Sequence, residues 1–164
     1  MAPDPDDVEV SSPVCYASEA DDAYMGFATG DEIVAELNHA LEFGRAIGRA
    51  SFQSALQVES APLPGMPFRK MSRSEAKLCG ALQILIAALG GRPSEASDDL
   101  YERVLSIEDV EERARQLRNA RQTVVNRLRT LLPKLRSDQL HRRINALLED
   151  YDRTITSDAS DKNG

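Results

Sequence analysis

The fold is decided in the stretch Leu37-Asn38-His39-Ala40-Leu41-Glu42-Phe43-Gly44, where apolar residues recur at the spacing of a helix. At about 100° per residue, the stretch extends in both directions into one apolar face. That face comprises Ile33, Leu37, Leu41, Gly44, Gly48, Phe52 and Ala55. Thr29 precedes two acids and is the expected N-cap residue. The pattern predicts a long amphipathic helix over residues 29–56.

A second helix is predicted to begin at Ser72, because Ser72 and Glu75 have the spacing of a capping box. Residues 57–71 contain three prolines and are predicted to be a loop. Gly90 and Pro93 mark the end of the helix. The expected apolar surface comprises Met71, Leu78, Leu82, Ile84, Leu85, Ile86 and Leu89.

Two more long helices are predicted after a connecting segment with a short helix near residues 98–105. The third covers residues 107–132, with Val110, Ala114, Leu117, Val124, Leu128 and Leu131 inward, and Pro133 ends it. The fourth covers residues 137–155, with Leu140, Ile144, Leu147, Leu148 and Ile155 inward. The predicted fold is therefore all-α: a four-helix bundle over residues 29–155, with an extended N-terminal arm over 1–28 and a disordered tail over 156–164.

Composition and charge restrict the classes of protein to which this chain can belong. No apolar run reaches the roughly 20 residues that cross a bilayer, and the start lacks the features of a signal peptide. Cys15 and Cys79 are isolated and expected to be reduced, so we expect a cytoplasmic protein with no membrane contact. The net charge of −7 and the 5% aromatic content argue against nucleic-acid binding as the function.

The charge is unevenly distributed along the chain. Residues 1–42 contain eleven acids and no Lys or Arg, whereas residues 111–143 contain ten Lys or Arg and three acids. An acidic arm and a basic helical surface attract each other within one molecule or between two subunits. A solvated charged face beside an unattached arm is the alternative interpretation.

Several motifs together resemble a bacterial ferritin-like domain, and more closely a little-characterised family of such domains of unknown function. They are Ser12-Pro13-Val14-Cys15-Tyr16, Asp22-x-Tyr24-Met25-Gly26, Leu37-Asn38-x-x-Leu41-Glu42, Glu75-Ala76-x-x-Cys79-x-x-Leu82, Leu89-Gly90-Gly91, Val124-Val125-x-x-Leu128-Arg129-x-x-Leu132-Pro133 and Asp138-x-Leu140-His141. The resemblance implies a metal-ligand Glu where this chain has Gly44, and His where it has Leu78 and Tyr151. Glu75 alone matches the ligand pattern. We therefore expect no metal cofactor, with iron or manganese at Glu75 and His141 as the alternative.

Other pairs with the spacing of metal ligands lie on less favourable faces. Glu36-x-x-His39 points away from the predicted core, and Asp138-x-x-His141 lies in a first helical turn. Cys79 is expected to be a small buried hydrophobe, and no catalytic residue is predicted. Gly44 and Gly48 either leave a small-molecule cavity or allow close helix packing.

Arg121 lies near the centre of the third helix's apolar face, where an unpaired charge would be costly. Glu75 and Tyr151 occupy inward or flanking positions on neighbouring helices. The sequence therefore predicts a buried polar cluster of Glu75, Arg121 and Tyr151, in which a protein cation stands where a metal stands in ferritin-like proteins. The alternative is that Arg121 extends its guanidinium to solvent.

Two functions remain open at this level. The first is a non-catalytic ferritin-like bundle that acts by self-association, as a homodimer, or by binding another protein. The second is a metal-binding ferritin-like oxidoreductase that uses an atypical site.

Overall fold

The computed structural model describes residues 25–58 and 66–160, and within these ranges it contains helices and no strand. The elements are α1 (Gly30–Val58), α2 (Met66–Ala88), α3 (Leu100–Leu105), α4 (Val110–Leu131), a 3₁₀ turn (Leu132–Lys134) and α5 (Asp138–Ser160). The all-α prediction is confirmed. None of the described helices combines the length and apolarity needed to span a membrane.

The four long helices pack as a ring. α1 lies against α2 and α4, and α5 lies against α4 and α2. The short helix α3 packs on α1 beside α4. Most of the predicted apolar positions line the interior, and the completely buried ones include Leu37, Leu41, Leu82, Leu117 and Ile144. Ile47, which was not predicted to face inward, is also completely buried.

The predicted helix ends are largely confirmed where local chemistry specifies them. Thr29 and Glu32 form a reciprocal cap at α1: the Glu32 amide donates to Thr29 Oγ1, and the Thr29 amide donates to Glu32 Oε2 at 2.8 Å. α4 begins at Val110, three residues after the predicted start at 107, and Asp109 caps it by accepting from the Glu112 amide at 2.6 Å. Gly90 has a φ of +75° beyond the end of α2, where a side chain would be strained.

The predicted start of α2 is wrong. The helix begins at Met66, six residues before Ser72, so Ser72 and Glu75 lie within it and form no capping box. Pro67 does not exclude this start, because the first turn of a helix needs no bond from the proline nitrogen. Glu75 is consequently free to point into the interior.

Three apolar residues assigned to buried faces are instead exposed. Phe52 is 57% exposed, Ile84 66% and Leu89 39%. On α1 the buried position beside Phe52 is taken by Ser51. The predicted tail is also partly wrong, because α5 continues as a helix to Ser160, while residues 161–164 lie outside the described residues.

Three polar side chains of α1, Asn38, Glu42 and Arg45, form hydrogen bonds with the segment between α2 and α3. Asn38 donates to the Arg92 carbonyl at 3.0 Å and accepts from the Ser94 amide at 2.7 Å. Ser94 Oγ donates to Glu42, and Arg45 donates to the carbonyl groups of Ser94 and Ala96. The Asn38 and Glu42 of the quoted stretch therefore hold this connecting segment along the outside of α1.

Candidate functional site

The structure brings the three residues of the predicted polar cluster together. Arg121 on α4 donates from Nε to Glu75 Oε1 on α2 at 3.0 Å. Tyr151 on α5 donates its hydroxyl to the same oxygen at 2.6 Å. Glu75 and Arg121 have no solvent exposure, and Tyr151 has 3%. Arg121 does not extend to solvent, because three helices enclose its guanidinium.

The two other guanidinium nitrogens of Arg121, Nη1 and Nη2, donate to residues that the sequence did not suggest. Nη1 donates to Asp158 Oδ2 at 2.6 Å. Nη2 donates to Ser74 Oγ at 3.0 Å and to Thr154 Oγ1 at 2.7 Å. A planar guanidinium suits this arrangement, because its donors are fixed in directions that different helices can meet.

A helical pattern relates the partners on α5. Tyr151, Thr154 and Asp158 are spaced i, i+3 and i+7, which places them on one helical face. That signal was missed because residues 156–164 were assigned to a disordered tail. Ser74 was missed because it was placed in the first turn of a helix that in fact begins earlier.

Burial controls the protonation of Glu75. Loss of water raises the pKa of Glu75 from its ordinary 4.5 to about 7, although the Tyr151 hydrogen bond and the Arg121 charge act in the opposite direction. The cluster contains one cation and two carboxyl groups, and Asp158 adds to the upward shift. Glu75 Oε2 is buried and has no hydrogen-bond partner. Burial also raises the pKa of the Tyr151 hydroxyl, so that this group remains a donor.

The two glycines of α1 permit this arrangement by close packing. A Cβ on Gly44 would lie 3.1 Å from Cys79 Sγ and 3.6 Å from Glu75 Oε2. A Cβ on Gly48 would lie 3.1 Å from Glu75 Cβ. The space beside both glycines is therefore filled by α2, which supports the close-packing alternative at these positions.

The buried residues do not fit a divalent metal pair. Glu75 faces the Arg121 cation, and a metal pair needs several carboxylates around it. His141 is exposed and precedes Tyr151 by ten residues, which places it about 15 Å away along α5. Within residues 25–58 and 66–160, no group of three or more His, Cys, Asp and Glu side chains has the geometry to hold a metal ion.

The other candidate residues have separate roles. Glu36 binds Arg127 at 2.8 Å, and this hydrogen bond lowers the pKa of Glu36. His39 and Asp138 are exposed. Cys79 is partly buried, and its burial raises the pKa of the thiol to about 12, which makes it a poor nucleophile. Cys15 lies outside the described residues.

These observations define a class: an all-helical domain in which a buried ion-pair network links three of the long helices. The sequence matches the family described as a domain of unknown function (DUF6306) over residues 31–160, and the chain belongs to that family. The expected membership in a family of unknown function is confirmed. No curated protein and no solved structure matches the sequence.

Proposed function

We propose that this protein is a non-catalytic ferritin-like four-helix bundle that acts by self-association, as a homodimer formed through the outer face of α2. The ring of four long helices supports the bundle assignment. The buried cluster supports the non-catalytic assignment, because a carboxyl group without solvent exposure offers no access to a substrate. In this proposal no metal cofactor is used, and the protein works in the cytoplasm with reduced thiols.

The observation that carries the proposal is an uncharged stretch on the outer face of α2, which begins after Lys77. The fourteen residues 78–91 contain no charged side chain, and only part of this run faces the interior. Ala76, Ile84, Ala87 and Ala88 are exposed, and Gly80 is half-buried. Ile84 is 66% exposed, which is a large apolar group to leave in water on a face without charges.

The shape of this face suits a second copy of the same chain. Gly80 and Ile84 lie one helical turn apart on the same side of α2. Apart from its chain neighbours and the local backbone of α2, no atom in the described part of the chain lies within 4 Å of the position that a Cβ on Gly80 would occupy. In a twofold arrangement with antiparallel α2 helices, Ile84 of each copy packs over Gly80 of the other. Small neighbouring residues let the two backbones approach closely.

The experiment is sedimentation of the full chain over a range of concentrations, for wild type and for Ile84→Glu. We expect a concentration-dependent dimer for wild type and a monomer for Ile84→Glu. Leu56→Glu is the matched control, because Leu56 is 44% exposed on α1 and should leave the dimer intact. A monomeric wild type, or a dimer that survives Ile84→Glu, would reject the proposal.

A further inference from the structure

A groove of about 760 Å³ runs between the first half of α1 and the last half of α4. Its lining includes Phe27, Ala35, Glu36, Asn126, Arg127 and Thr130. The groove is distinct from the outer face of α2 and from the buried cluster. It therefore offers a second surface, which contains both apolar and hydrogen-bonding groups.

The N-terminal segment forms one end of this groove. Gly26 has a φ of +79°, a conformation that favours glycine and turns the chain at this point. Two residues later, the Ala28 amide donates to the Lys134 carbonyl at 2.9 Å. Gly26, Phe27 and Ala28 all line the groove. The 24 residues that precede Met25 are therefore tethered at its rim.

The groove and the arm differ in charge balance: the groove lining carries two acids and two cations, whereas the arm is acidic. Residues 1–24 contain seven acids and no Lys or Arg, and Asp21 and Asp22 stand just before the tethered end. Arg127 and Lys134 supply two cations on the α4 side. Arg127 is paired with Glu36 at 2.8 Å and Glu32 caps α1, so Lys134 is the cation of the lining with which an acid of the arm would pair.

The length of the groove suits the nearest part of the arm. Its α4 wall extends from Thr123 to Lys134, which is about 16 Å along a helix. An extended chain of five residues spans about 17 Å. A tether of this kind raises the effective local concentration of the arm to roughly the millimolar range, so weak contacts suffice.

We propose that the acidic N-terminal arm docks in the α1–α4 groove of its own chain, with residues 20–24 extended along it and Asp22, the acid nearest the tether, directed toward Lys134. Tyr24 then packs its ring against the apolar part of the groove, which includes Ala35 and Leu131. The groove is an intramolecular site for an acidic segment.

The test places a nitroxide on residue 20 in a full chain that carries Cys15→Ser and Ala20→Cys. Cys79 is retained, because the high pKa of its thiol makes it slow to react. Paramagnetic relaxation is then measured at backbone amides by NMR. We expect the amides of Thr123, Asn126 and Thr130 to be broadened several-fold more than that of Ala146 on the outer side of α5.

Ala35→Glu, added to the labelled chain, should abolish the selective broadening because it narrows the groove and repels the arm. Ala146→Glu is the matched control, since both alanines are exposed on long helices. Circular dichroism checks that each variant remains folded. Equal broadening of the groove and of α5, or selective broadening that survives Ala35→Glu, would overturn the proposal.

A mixed sample separates docking within one chain from docking between two copies. Spin-labelled chains without isotope label are mixed with isotope-labelled chains that carry no spin label. We expect no selective broadening in this mixture. Broadening at Thr123 and Asn126 there would show that the arm crosses to a second copy, which contradicts docking on its own chain.

Discussion

The guanidinium Nε of Arg121 lies 3.0 Å from Glu75 Oε1, and neither side chain is exposed to solvent. This pair joins α4 to α2 at the level of the glycines that thin α1. Two charges removed from water stabilise a fold only when each has its partners, and removal of one partner leaves the other uncompensated. The packing of α4 against α2 therefore depends on both members of this pair being present.

Arg121→Leu should destabilise the protein by about 3–5 kcal/mol, because it leaves Glu75 and Asp158 without their cation. Urea unfolding followed by circular dichroism measures the change. Arg129→Leu is the matched control on the same helix, and its exposed pair with Asp152 should contribute about 0–1 kcal/mol. A loss for Arg121→Leu within about 0.5 kcal/mol of zero, as at surface sites, would show that the pair is not formed.

Glu75 should make stability depend on pH. Its pKa is raised from 4.5 to about 7 on folding, so the folded protein binds this proton more tightly than the unfolded chain does. The contribution is fully present below pH 4.5 and is lost as the pH rises through 7. Glu75→Gln, which carries no titrating group, should therefore gain stability relative to wild type, by up to a few kcal/mol between pH 5 and 8.

The measurement is the free energy of unfolding of both proteins at several pH values between 5 and 8. Glu149→Gln, at an exposed glutamate on α5, is the matched control. A difference between wild type and Glu75→Gln that stays constant, or changes in the opposite direction, would contradict the raised pKa.

Gly44→Ala should lower stability by up to about 2 kcal/mol, because overpacking against Cys79 exceeds the gain in helix propensity. Gly80→Ala is the matched comparison. Beyond the local backbone of α2, its Cβ meets no atom of the described residues within 4 Å, and this variant should gain about 0.5–1 kcal/mol. Both changes are made in the Ile84→Glu background, so that self-association does not affect the unfolding curves. Equal effects of the two substitutions would show that α1 and α2 do not approach closely at Gly44.

Protein purified without affinity metal or chelator and then supplied with ferrous iron should retain metal well below stoichiometry. The physical reason is that the Arg121 cation would repel a metal cation bound at Glu75. Glu75 carries the only carboxyl group that is completely buried in the described part of the chain. Elemental analysis after desalting measures the bound metal, with Glu75→Ala as control. Near-stoichiometric metal in wild type that disappears in Glu75→Ala would support the metal-binding alternative.

Much of the fold was predictable because it depends on local interactions. The apolar faces of α1 and α4, the Thr29 cap and the Gly90 terminus follow from residues within one or two turns. The start of α2 was not predictable in this way. Pro67 is compatible both with a loop and with the first turn of a helix, and the choice depends on the packing of Phe68 and Met71 in the core.

The candidate site was predictable only in part. The cost of a buried charge predicted that Arg121 needs a partner, and Glu75 and Tyr151 were the polar groups on neighbouring helices. Asp158 lies in a segment that the sequence analysis predicts to be a disordered tail, so its i+7 spacing from Tyr151 does not register there as a shared helical face. Its role arises because α5 continues far enough for Asp158 to reach Nη1 of Arg121.

The sequence by itself determined the presence of the long helices, the ends at Thr29 and Gly90 and the need to neutralise Arg121, because helical periodicity, capping and desolvation act on neighbouring residues or on one side chain. The tertiary structure alone decided which partners Arg121 has and that Ile84 faces outward. It also decided that the side chain of Cys79 fills the space beside Gly44. Glu75 and Arg121 are 46 residues apart, and only the packing of whole helices brings such residues within hydrogen-bond distance.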